Sequence, residues 1–286
     1  MFVRAGQSIR LLDEEFSSAA GLDQRTRPNA LFLSVCAQFN LGIAVAMQKW
    51  FAERLQIVSG LDDELLLPFT IGQCKTSEGR RKILEFVRSL DVGIEKIEVR
   101  TIPLGESIPK GVPEKLRKLL SELGGDEAQS LSTTHTVFSP NGEATGAVEF
   151  DLQSHESRGT QKALALAGPI LDTLARGNVL VVDELEARLH PLLTAAMVGL
   201  FNSPEANRSG AQLVFTSHDT NLLDQSVLRR DQVWFCEKDR RGSTALFSLL
   251  EFRSKPDSAI EKRYLEGRYG AVPILRTLID AVAELE

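Results

Sequence analysis

The chain of 286 residues carries 33 Lys+Arg against 39 Asp+Glu, a net charge of −6, with 43% hydrophobic and 25% charged residues. These are the proportions of a globular protein, and they argue against a surface given over to nucleic acid while leaving room for a local basic patch. Three widely spaced cysteines without a CxxC argue against a zinc site or disulfide framework and point to a reducing, cytoplasmic setting, and no apolar run is long enough to span a bilayer.

The N-terminal "MFVRAGQSIRLLDEE" has no signal-peptide core. Residues 29–58, "NALFLSVCAQFNLGIAVAMQKWFAERLQIV", repeat apolar residues at helical spacing without proline, which predicts one or two helices with Asn29 as a cap. From Gly60 to about Thr134 the texture changes. "SEGRRKILEFVRSL" reads as a helix, "GIEKIEVRTIP" as a strand, "VPEKLRKLLSEL" as a short charged helix and "GGDEAQSLSTT" as a loop. "THTVFSPNGEATGAVEFDL" alternates around Asn141-Gly142, a strong hairpin signal. A helix over "ESRGTQKALALAGPILDTLA", a strand at 178–183, a helix over "LHPLLTAAMVGLFN" and a strand at "AQLVFTS" follow. A loop with a short helix at 219–228, two strands, "DQVWFCEK" and "STALFSLLEF", and a helical C-terminus complete the chain. Alternating strand and helix from 160 to 250 predicts an α/β sheet, parallel at its centre, with an antiparallel hairpin.

The chemistry concentrates in "NVLVVDELEARLHPLL", where Asp183 and Glu184 stand at the end of a buried strand. In P-loop nucleotide hydrolases an Asp so placed serves Mg²⁺, and the next acid can take a proton from the attacking water. Two acids capping the next helix is the plain structural alternative. In "TSHDTNLL", His218 ends the neighbouring strand, where it could polarise a γ-phosphate or serve as an ordinary hydrogen-bonded histidine. In "ESRGTQKAL", Ser157 and Gly159 precede a helix whose N-terminus can receive an anion, although Ser157 or Thr160 can equally be a plain cap.

Together and in this order the three stretches resemble the ABC/SMC class of ATPases, in particular the AAA-type ATP-binding proteins of the OLD-like branch found in anti-phage, abortive-infection and retron-associated systems. "ESRGT" resembles the signature, "VLVVDELEARLHP" the Walker B strand with its following segment, "FTSHD" the switch histidine and "GRYGAVPIL" a C-terminal element. The resemblance implies a P-loop NTPase-like α/β head that binds ATP and Mg²⁺. It implies that Ser157, Gly159 and Thr160 meet the γ-phosphate of ATP on a second subunit, that Asp183 serves Mg²⁺, that Glu184 is the general base and that His218 senses the γ-phosphate. Arg158 departs from the pattern, which has Gly at that place. The implied organisation is a helical remainder of the head over 1–60, an inserted α/β or helical subdomain over 61–135 and the signature, Walker B and switch over 136–286.

A Walker A loop requires G-x-x-x-x-G-K-[ST], because glycine amides wrap the phosphates and the Lys reaches the β and γ groups. The sequence holds no Gly-Lys dipeptide, and around the Lys75-Thr76 of "IGQCKTSEG" Cys74 replaces the final glycine while Phe69 stands where the first would be. The expectation is therefore an N-terminally incomplete head: a truncated product, a misassigned start, or half of a split protein. Its partners would be a second head, as homodimer or higher oligomer, and an effector protein. DNA gains no support from the charge, and a membrane is not expected. A non-catalytic interaction module is the alternative.

Overall fold

The computed structural model describes residues 2–6, 8–12, 14–103, 127–252 and 259–273. The chain opens with a hairpin of β1 (Phe2–Ala5) and β2 (Ser8–Leu11). Helices α1 (Phe32–Gln38) and α2 (Gly42–Arg54) follow, with Phe2 packed edge-on against Phe16 and Phe32 in a small N-terminal core. Leu31, not Asn29, occupies the cap position of α1, and it offers no side-chain hydrogen bond. The helical reading of 29–58 also ends early. At Leu55 the chain becomes β3 (Leu55–Ser59), because pairing with a distant strand outweighs the local helical pattern.

Next come α3 (Asp63–Cys74), α4 (Ser77–Arg88) and β4 (Lys96–Pro103). The Lys75-Thr76 dipeptide lies between the two helices, where Thr76 Oγ1 accepts from the Gly79 N–H at 3.0 Å and caps α4. The expected charged helix "VPEKLRKLLSEL" lies outside the described residues. Much of the expected loop "GGDEAQSLSTT" is instead the start of β5 (Glu127–Phe138), which pairs with β4 along its length and, beyond the Asn141-Gly142 turn, with β6 (Ala144–Asp151). Strand pairing on both sides of β5 supplies the backbone partners that local composition does not announce.

One short helix, α5 (Leu152–His155), and then the long α6 (Arg158–Arg176) lead to β7 (Val179–Asp183), α7 (Pro191–Asn202) and β8 (Gln212–Phe215). Strands β3, β7 and β8 form the parallel sheet, with β7 in the middle. A closing hairpin of β9 (Trp234–Lys238) and β10 (Thr244–Ser248) packs with α8 (Ile260–Leu265), and Tyr269 of the "GRYG" turn stacks on Phe235. The rest of the expected C-terminal helix lies outside the described residues.

Helix α6 is the axis of the main core. Its residues from Lys162 to Ile170 are all buried, and α3 and α4 pack along it while Leu180 and Val182 of β7 face the same cluster. Pro169 inside α6 has no N–H for the carbonyl of Ala165. Thr70 Oγ1 from α3 donates to that carbonyl at 3.0 Å and accepts from the Gly168 N–H at 3.1 Å, so the break in the helical ladder is filled from the neighbouring helix. A Cβ on Gly168 would lie 2.5 Å from Thr70 Oγ1, which is why the helices approach there over a glycine.

Candidate functional site

The site is built where β7 ends. Alternation along the strand buries Leu180 and Val182 and brings Asp183 out to solvent. Thr216, the residue after β8, donates from Oγ1 to Asp183 Oδ1 at 2.5 Å, and the same hydroxyl accepts from the Glu184 N–H at 2.8 Å. The chain turns sharply at Glu184, which is half-buried at a φ of 54°. Such a conformation persists in a non-glycine residue only where its surroundings hold it. Here the Lys162 ammonium donates to the Glu184 carbonyl at 3.2 Å, and the Gly60 N–H donates to the Asp183 carbonyl at 2.6 Å. Gly60, just past β3, must be glycine for this approach: a Cβ there would sit 2.1 Å from the Glu184 carbonyl oxygen.

The start of α6 faces the same turn. Ser157 Oγ accepts from the Thr160 N–H at 3.1 Å and lies 2.8 Å from Thr160 Oγ1, so Ser157 is the helix cap and Thr160 is buried behind it. Gly159 lies against the loop after β7, with room for no Cβ: the Arg188 carbonyl oxygen would be 2.9 Å away. That loop ends at His190, whose Nδ1 accepts from the Leu192 N–H and caps α7, with Pro191 at the first helical position.

His218 is exposed two residues beyond Thr216, and its backbone N–H donates to Glu186 Oε1 at 2.8 Å. The fold thus brings Asp183, Glu184, Thr216 and Lys162 into one bonded cluster. It fastens the His218 segment to the post-β7 loop through Glu186 and seats the Ser157–Thr160 turn beside that loop through Gly159 and Arg188. Thr216, Lys162 and Gly60 are additions to the residues expected from sequence. Thr216 stood inside the motif "FTSHD", whereas Lys162 gave no signal, since a lysine in "QKALALAG" reads as solvated.

Among the described residues no group of three or more His, Cys, Asp or Glu forms a metal cage. Asp183 presents its carboxylate at the surface. Glu186 Oε2 is buried without a hydrogen-bond partner among the described residues, an unspent acceptor in the loop after β7.

The family described as "AAA domain, putative AbiEii toxin, Type IV TA system" matches residues 15–224. The chain belongs to this AAA-domain family. Its architecture is accordingly that of a P-loop NTPase-like α/β domain. The matched span of the AAA domain takes in α6, β7, β8 and the Thr216–His218 segment. No curated protein matches the chain. One similar solved structure is the crystal structure of the Smc head domain with an extended coiled coil bound to the C-terminal domain of ScpA, from Pyrococcus furiosus, at 13% identity and a TM-score of 0.32. The alignment covers 88% of this AAA-domain chain, which spans about half (50%) of the length of that one. No helix among the described residues is long and apolar enough to cross a membrane.

Proposed function

We propose that this AAA domain is the signature, Walker B and switch portion of an ABC-type head, hydrolysing ATP between two heads and switching an effector protein in a bacterial defence system. The observation that carries the reading is the cluster at the end of β7: Asp183 and Glu184, held by Thr216 from β8 and by Lys162 from α6. Asp183, exposed and oriented by Thr216, is the carboxylate for Mg²⁺; the ion, when bound, neutralises developing phosphate charge. Glu184 is the general base. Its backbone is fixed from both sides, so its carboxylate can be aimed at a water without reorganisation. His218 is exposed beside this turn and suits contact with a terminal phosphate. Ser157, Gly159 and Thr160 begin a helix of 19 residues, whose first amides and positive end favour an anion from a facing head.

The sequence has no Gly-Lys dipeptide, so the β-phosphate contacts must come from a G-x-x-x-x-G-K-[ST] segment joined to this chain or supplied by another polypeptide. The same fact supports the second reading, a domain that keeps the head fold and its contacts without turning over nucleotide by itself. Glu184→Gln separates the two in a form that contains the P-loop segment. Loss of the base should slow hydrolysis by about 10²–10⁴-fold while ATP is retained and the two-headed state persists. Turnover within a few-fold of the unmodified protein would remove Glu184 from the role.

A further inference from the structure

Glu156 lies immediately before the cap of α6, in an extended link between α5 and α6. An acid at that place is drawn to the helix N-terminus, where the first-turn amides have no partner in the helical ladder and the dipole favours negative charge. The side chain goes elsewhere. It is 7% exposed, and its Oε1 accepts from two residues on one face of β5: Thr133 Oγ1, and His135 Nε2 at 2.7 Å. A carboxylate only accepts, so the Nε2 of His135 carries the proton in this contact. The clamp is itself braced. The His135 ring lies 5.0 Å from Phe150, which stacks on His155 at 5.7 Å, and the His155 Nδ1 accepts from the Asp151 N–H. The Glu156 carbonyl accepts from Gln161 Nε2 at 2.9 Å, one turn into α6.

We infer that Thr133 and His135 withhold the Glu156 carboxylate from the N-terminus of α6 and so keep the Ser157–Gly159 turn open to a phosphate from outside. Glu156 is a positioning residue whose release is self-inhibitory. This rests on the reading of that turn as a phosphate contact. A purely structural clamp makes a different demand: loss of Thr133, His135 or Glu156 should cost stability without bringing a charge onto the Arg158 and Gly159 amides. A withheld carboxylate predicts repair, because a released Gln cannot compete as an anion.

The test uses the full chain, its amide resonances for Arg158 and Gly159, and inorganic phosphate as the probe. Without phosphate, His135→Ala should shift these two amides as the freed carboxylate docks on them, and His135→Ala combined with Glu156→Gln should return them toward the unmodified position. Thr133→Val, nearly isosteric, should give a smaller shift of the same kind and serves if His135→Ala does not fold. With phosphate, the single variants should bind roughly 2- to 5-fold more weakly at these amides, the effect of one competing charge at a helix N-terminus, and the combined variant should recover. If neither single variant moves the amides, or if Glu156→Gln leaves the combined variant as displaced as His135→Ala, the inference is wrong. A carboxylate that docks as described, with no phosphate response in any form, sinks the nucleotide reading of Ser157 and Gly159 and leaves the intrachain competition standing.

Discussion

At the scale of single residues, hydroxyls do much of the joining. Thr216 links the backbone of Glu184 to the side chain of Asp183, and Thr70 fills the gap that Pro169 leaves in α6. The second case gives a clean prediction. Thr70 is fully buried, and Thr70→Val keeps its shape while removing both the donor to the Ala165 carbonyl and the acceptor for the Gly168 N–H. The Ala165 carbonyl, which Pro169 cannot serve, then loses its donor in the core, so stability should fall by about 1–3 kcal/mol, as read from urea unfolding. A change within experimental error would mean that α6 closes its own ladder around Pro169. The end of β7 at Asp183 was legible in sequence, because an apolar run that stops at two carboxylates marks where a buried strand runs out. Their supports were not. Lys162 is buried in contact with the Glu184 carbonyl, and that placement exists only after α6 has packed beside β7.

At the scale of elements, the sequence spoke clearly where local chemistry decides. Asn141-Gly142 turned the hairpin between β5 and β6, and the polar cap at Ser157 opened α6. It was silent where pairing decides: β3 follows α2 directly, Leu55 after Arg54, with no glycine or proline to mark the change, and only the partner β7 makes those residues a strand. The junction of β6 and α5 shows how one side chain can manage such a change of element. Asp151 ends the strand and caps the helix, with Oδ1 accepting from the Ser154 N–H and Oδ2 from Ser130 Oγ. Burial pushes its carboxyl upward, but hydrogen bonds from Ser154, Ser130 and Gln153 outweigh that and hold it below the ordinary carboxylate range. A carboxyl with a lowered folded pKa stabilises the fold above its unfolded value of about 3.9, and the contribution is lost as pH falls through the folded value. Asp151→Asn removes this linkage. The unmodified protein should therefore lose more unfolding free energy than Asp151→Asn between about pH 6 and pH 3. Equal losses would show that the carboxylate is not stabilising the junction.

At the scale of the whole molecule, the parallel sheet packs one face into the core of the described residues and carries exposed aliphatic side chains on the other. Leu180 and Val182 point into the core, while the opposite face sets Ile57, Val181 and Val214 in register across all three strands. Ile57 is 70% and Val214 53% exposed, although a parallel sheet in an α/β domain normally buries both faces. Burying one such aliphatic side chain is worth about 1.5–3 kcal/mol, so these aligned residues favour association of the chain with itself. Sedimentation velocity should show a weight-average coefficient that rises with concentration. Ile57→Thr combined with Val214→Thr should flatten that rise. Threonine keeps the β-branched shape a strand prefers, so thermal unfolding of the dilute protein should barely move. If instead the rise is unchanged in the double variant, this face is not what associates. If the unmodified chain stays monomeric throughout, the open face is too small to drive association. The difference between the two measurements matters because β7 runs through the middle of this face and ends at Asp183. A variant that alters association but not folding isolates the exposed surface from the cluster that the same strand holds in place.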